Sequence, residues 1–202
     1  MRVLTGVLLT LVLVGCASEH DGDAHAWFDA SAVEEHRRAK DDAFRSTPDS
    51  PIPAEGRAAF GGLRYFPIDA RFAVDATFRA EASTDTVMLG TTHGDDVRPA
   101  LRAGTLVFTL GSTKHRLTVY QILPLDARHY FVAFQDSTSG IETYHGGRYL
   151  EVAALDESAP VKLDFNMAYN PYCAYNADYS CPLVPAENRL AASIRAGERT
   201  WK

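Results

Sequence analysis

From Leu63 onward the chain alternates apolar and polar residues with a period of two, as strands do when they bury one face. Phe72, Val74, Ala76 and Phe78 fall on one side, and Ala73, Asp75, Thr77 and Arg79 on the other. Leu106, Phe108 and Leu110 alternate with Val107 and Thr109. After the turn signal Gly111-Ser112, Leu117, Val119 and Gln121 alternate with Thr118, Tyr120 and Ile122; together these segments predict a hairpin. Asp126-Ala127-Arg128 turns the chain into a strand at Tyr130–Gln135, and Arg148–Ala153 and Val161–Met167 predict two more. About seven short strands at this spacing favour an antiparallel β-sandwich or barrel over β–α–β units.

Before Leu63 the pattern is helical. Trp27–Arg45 places Glu34, Glu35 and Asp41 among His36, Arg37, Arg38 and Lys40, with Val33, Ala39, Ala43 and Phe44 apolar. Ser31 with Glu34 three residues later predicts a capping box. The charged face predicts a helix lying on the surface of a larger body. Prolines 48, 51 and 53 stop it, and a short helix follows at Ala54–Phe60. Residues 27–202 therefore read as one mainly β domain with an N-terminal helical cap.

Val3–Val14 is an apolar run behind Arg2. At ~1.5 Å per residue it spans about 18 Å, short of the ~30 Å hydrocarbon core. It reads as a signal peptide over residues 1–15. Its end, Leu13-Val14-Gly15-Cys16, resembles the lipobox of bacterial lipoproteins, which implies lipid attachment at Cys16. The expectation is a palmitate-bearing envelope protein held to a membrane by acyl chains. Ala17 in place of Asp implies an outer membrane, facing the periplasm, in a cell that has one. Residues 16–26, rich in Ser, His, Asp and Gly, read as a flexible tether.

The 202 residues suffice for one core, and 46% hydrophobic content excludes a disordered chain. Twenty basic against 26 acidic side chains give a net charge of −6 and argue against nucleic acid as a partner. No nucleophile-elbow, phosphate-loop, dinucleotide or zinc-protease motif occurs, so no cofactor and no metal is expected.

Candidate chemistry gathers in Asp136–Leu150 and in the Leu163–Leu190 segment. The runs Asn170-Pro171-Tyr172-Cys173-Ala174-Tyr175 and Gly147-Arg148-Tyr149-Leu150, with Phe60-Gly61-Gly62-Leu63-Arg64-Tyr65-Phe66-Pro67 upstream, resemble the prokaryotic family catalogued as domain of unknown function 1684. The resemblance extends over Val33–Glu198 and implies a shared fold with no settled activity. Two positions depart from the family pattern: His36, where Trp is usual, and His145, where Gly is usual.

Asp136, Glu142, Arg148, Asp164, Asn166, Tyr172, Glu187 and Asn188 form the candidate cluster. One reading makes it a pocket for a small polar ligand or an envelope-protein partner, because loops carry function more often than scaffolds. A second takes a carboxylate pair from Asp136, Glu142, Asp164 and Glu187 for hydrolase-like acid–base work. A third is a non-binding envelope scaffold, with the same groups as an ion-pair network tying loops to the sheet. Arg148, with its planar fork, suits Asp136 or Glu142 in that network. The tyrosines near Asn170 offer stacking faces for a sugar or aromatic ligand, or simply pack on the sheet. Gly140, Gly146 and Gly147 suit positive φ or close approach. Cys173 and Cys181, an even pair once Cys16 is acylated, read as a disulfide worth about 2.5 kcal/mol in the chain-entropy view; free thiols and a metal site are the alternatives.

Overall fold

The computed structural model describes residues 25–82, 85–124 and 130–201; Cys16, the signal segment, nearly all of the tether and the 126–128 turn lie outside them. Seven strands run in chain order: β1 (Ala73–Ala80), β2 (Thr86–Gly90), β3 (Val97–Leu110), β4 (Thr113–Ile122), β5 (Tyr130–Phe134), β6 (Arg148–Val152) and β7 (Val161–Asp164). They form one antiparallel sheet in the order β6-β5-β4-β3-β1-β7, with β2 also on β3. The sheet curls into a half-barrel.

The curl is organised by β3, which keeps β4 on one edge and changes partner on the other. Ala100 and Leu101 face β2 through Val87 and Thr86, whereas Gly104 to Phe108 face β1 through Ala80 to Ala76. Between them the register slips at Arg102/Gly104, a bulge that bends the strand. Gly104 sits there at φ +153°, and a Cβ would lie 2.2 Å from the Arg79 carbonyl oxygen. The alternation had not indicated β2 or the first half of β3, where Pro99 and charged residues interrupt the pattern. The Gly111-Ser112 hairpin forms as expected, with Leu110 opposite Thr113.

The main core lies inside the curl, where Leu106, Phe108, Leu117, Val119, Val132, Phe134, Leu163 and Phe165 meet Ile194 and Ala196 of the C-terminal segment. A second cluster occupies the outer face of the sheet. Tyr120, Phe131, Ala133 and Tyr149 are covered there by Cys181 and Val184. This explains why β5 is apolar on both sides: the 169–190 segment wraps behind it.

Helix α1 (Ala30–Ser46) is capped by Asp29, whose carboxylate accepts from the Ser31 and Ala32 amides at 2.9 and 3.3 Å. Ser31, expected as the cap, lies inside the first turn. Thr47 is extended ahead of Pro48, as proline demands. The helix does not simply float its charges in water. Arg37 donates to the carbonyls of Phe66 and Asn166, Lys40 reaches Glu198, and Asp41 accepts from the Leu63 amide. The second helix, α2 (Ala54–Arg57), is one turn long.

Gly104→Ala tests the bulge. A methyl there forces backbone apart, so the midpoint of urea unfolding should fall by the equivalent of about 2 kcal/mol or more. An unchanged midpoint would show that the strand bends without it.

Candidate functional site

Arg148 opens β6 and points into the core with 1% of its side chain exposed. It donates to the Asp136 carboxylate at 3.3 Å, to the Ile194 carbonyl at 2.8 Å and to the carbonyls of Ala196 and Glu198. Asp136 accepts further from the Ile194 amide at 2.7 Å and the Thr138 hydroxyl at 2.7 Å. Burial lowers the Arg148 guanidinium to about 10, so it remains charged at neutral pH. The turn before it depends on Gly147, at φ +91°, where a Cβ would lie 2.6 Å from the Phe134 carbonyl oxygen. Gly140 also takes a positive φ, of 81°, and Gly146 does not.

The rest of the predicted cluster is dispersed. Asn188, fully buried, accepts from the Thr118 amide at 2.7 Å and donates to the carbonyls of Thr118 and Ala133. Its amide thus bridges β4 and β5. Asp164 ends β7 sooner than expected, because its carboxylate accepts from the Asn166 amide and side chain and starts a 3-10 turn over Phe165–Met167. Burial pushes its carboxyl up. Asn166 in turn clasps the backbone N–H and carbonyl of Asp69 at 3.0 and 2.9 Å. Glu142 pairs with Arg195, and Glu187 accepts from Arg102 and the Tyr120 hydroxyl. Burial pushes the Glu187 carboxyl up, but Tyr120 and Arg102 outweigh it and hold it below its ordinary range. The four carboxylates are each satisfied by a different partner, and the expected carboxylate pair is not assembled.

Tyr172 belongs elsewhere. With Tyr149, Tyr169 and Tyr179 it walls an open cleft of about 470 Å³, lined also by His36 and Lys40 of α1 and by Ser180, Cys181 and Pro182. The rings brace each other edge to face: Tyr172 and Tyr179 at 5.2 Å, Tyr149 and Tyr169 at 5.8 Å. Tyr149 donates to the Pro182 carbonyl and Tyr169 to Glu151, so both rings are locked. Burial raises the hydroxyls of Tyr149, Tyr169 and Tyr172, which stay neutral. Lys40 lies 4.7 Å over the Tyr169 ring and binds Glu198, 1% exposed, at 2.5 Å. Glu198 also accepts from the Asn170 amide at 2.9 Å and the Tyr175 hydroxyl. Burial and Lys40 together lower His36. The cleft therefore has aromatic walls, and its one ammonium is already offset by a carboxylate.

At the edge of the cleft, Cys173 and Cys181 stand as two free cysteines, with the Cys173 amide donating to the Cys181 sulfur at 3.2 Å. Among the described residues no group of three or more His, Cys, Asp or Glu side chains could hold a metal ion. The tyrosine density was visible in the sequence, but nothing in the pattern of α1 marked His36 and Lys40 as cleft residues.

The Lys40–Glu198 pair yields a double-mutant test. Lys40→Met and Glu198→Gln should each lower stability by about 3 kcal/mol, because each leaves a poorly hydrated charge behind. The double variant should lose clearly less than the sum of the two. Additive losses in urea unfolding would mean that the pair does not act as a unit.

A sequence profile described as "Protein of unknown function (DUF1684)" matches residues 58–199, so α1 lies outside the matched stretch. No curated protein matches the chain. The solution NMR structure of an uncharacterised protein of Haloarcula marismortui is similar, at 38% identity over 84% of this chain and 93% of that one, with a TM-score of 0.68. The fold, the Asn-Pro-Tyr-Cys-Ala-Tyr turn beside the cleft and the matched profile agree: this chain belongs to the DUF1684 family of proteins of unknown function.

Proposed function

We propose that this chain is a lipid-anchored protein of the cell envelope whose β domain binds a small, uncharged, ring-bearing molecule in the tyrosine-lined cleft. The observation that carries the binding reading is the pairing of locked tyrosine faces with a neutralised floor. Aromatic faces reward contact with planar rings and with the apolar faces of sugars. A charged ligand gains little, because Lys40 is already paired with Glu198 and burial favours neutral His36. The hydrolase reading lacks this support, since Asp136, Glu142, Asp164 and Glu187 all lie outside the lining of the cleft. The anchor rests on the apolar run ending at Cys16. Two acyl chains hold a protein far more firmly than one, which binds only marginally.

Phenyl β-glucoside, with benzoate and benzylammonium as charged controls, tests the cleft by NMR titration. The neutral probe should shift the ring resonances of Tyr172 and Tyr179, and Tyr172→Ala, an exposed position, should weaken binding about fivefold or more. Equal shifts with all three probes, or none with any, would overturn the binding reading. Separately, Cys16→Ser should move the protein from the membrane to the soluble fraction on cell fractionation; unaltered membrane retention would overturn the anchor.

A further inference from the structure

We propose that Cys173 and Cys181 form a thiol–disulfide exchange site, in which Cys173 attacks a small disulfide and Cys181 resolves the adduct. The two positions are built differently. Cys173 is half-buried in the turn Tyr172–Ala174, which follows Pro171. Cys181 is buried and immobilised: its carbonyl accepts from the Thr92 amide at 2.9 Å and its amide donates to the Thr92 hydroxyl at 3.1 Å. The less buried residue of the pair, held in a turn beside a fixed neighbour, is the better placed to attack first, since access is one of the factors that set exchange rates. The sulfurs also meet donors. The Cys173 amide reaches the Cys181 sulfur at 3.2 Å, and the Tyr144 hydroxyl lies 3.7 Å from the Cys173 sulfur. The thiol of Cys181 and the hydroxyls of Tyr144 and Thr92 outweigh burial and lower Cys173 to about 6, while the same contact with Cys173 raises Cys181. A thiolate at Cys173 is therefore populated at neutral pH, as an attacking sulfur needs.

The reaction balances without a cofactor. The Cys173 thiolate attacks one sulfur of the disulfide, forming a mixed disulfide and expelling one thiolate. Cys181, losing its proton to that thiolate, then attacks the Cys173 sulfur and expels the second. Two protein thiols are oxidised by two electrons and one external disulfide is reduced to two thiols. The proposal rests on the envelope reading for its oxidant, a small disulfide in an oxidising compartment. Its consequence reaches the ligand cleft: Cys181 lines it, and the closed bond fixes the loop that carries Tyr172 and Tyr179.

The test uses the full-length chain with oxidised glutathione, followed by alkylation and mass analysis. The chain should lose two hydrogens with no lasting glutathione adduct, and dithiothreitol should restore both thiols. Cys181→Ser should trap glutathione on Cys173, and Cys173→Ser should trap none. Iodoacetamide should modify Cys173 with a rate midpoint near pH 6, against about 8.5 for an ordinary cysteine. Inert thiols, glutathione trapped on Cys181 instead, or an ordinary midpoint would each overturn the proposal. None of these readings depends on membrane attachment, so soluble Cys16→Ser protein gives the same answer whether or not the anchor stands.

Discussion

A buried guanidinium sets the terms for the rest of the structure. Arg148 carries a full charge where almost no water reaches it, and such a charge is tolerated only when its donors are used. One carboxylate and three carbonyls take up its two terminal nitrogens, and only the buried Nε is left without a partner. The carbonyls belong to Ile194, Ala196 and Glu198, alternate residues of a segment that forms no named strand of the sheet. Arg148 supplies the partners that a strand neighbour would otherwise supply, and it ties the C-terminal segment to the main core, where Ile194 and Ala196 pack. The side chain of Glu198 then meets Lys40, the Asn170 amide and Tyr175. Helix, tyrosine loop and C-terminal segment are joined through that one carboxylate, and the cleft lies where they meet.

The periodicity of the chain carried most of the β architecture, and the reasons for its gaps are physical. The start of β3 escaped because Pro99 and Arg98 break the alternation, although both are accommodated opposite β2, and β2 itself buries only Leu89. β7 is shorter than its apolar period because Asp164 turns its carboxylate back onto the Asn166 amide. The odd polar residues, Asp136, Arg148, Asn166 and Asn188, stood out correctly but for another reason. They are plugs that satisfy backbone groups where strands diverge or loops cross, so their density reported burial rather than a reaction.

The cleft was legible in half. A run of tyrosines at 169, 172, 175 and 179 suggested stacking faces, and three of the four reach the cleft wall. Tyr175 turns instead to Glu198 and packs against Phe44. Lys40 and His36 could not be read, since a charged helical face is solvated unless something distant meets it. Here the partner is 158 positions away.

Hydrogen exchange on an Arg148→Met variant reads out what the buried guanidinium holds in place. If the guanidinium holds the C-terminal segment, the amides of Ile194, Glu198 and Asn170 should lose protection together, by roughly a hundredfold or more, while those of β3 and β4 keep theirs. Unchanged protection at those three amides, or an equal loss throughout β3 and β4, would contradict it.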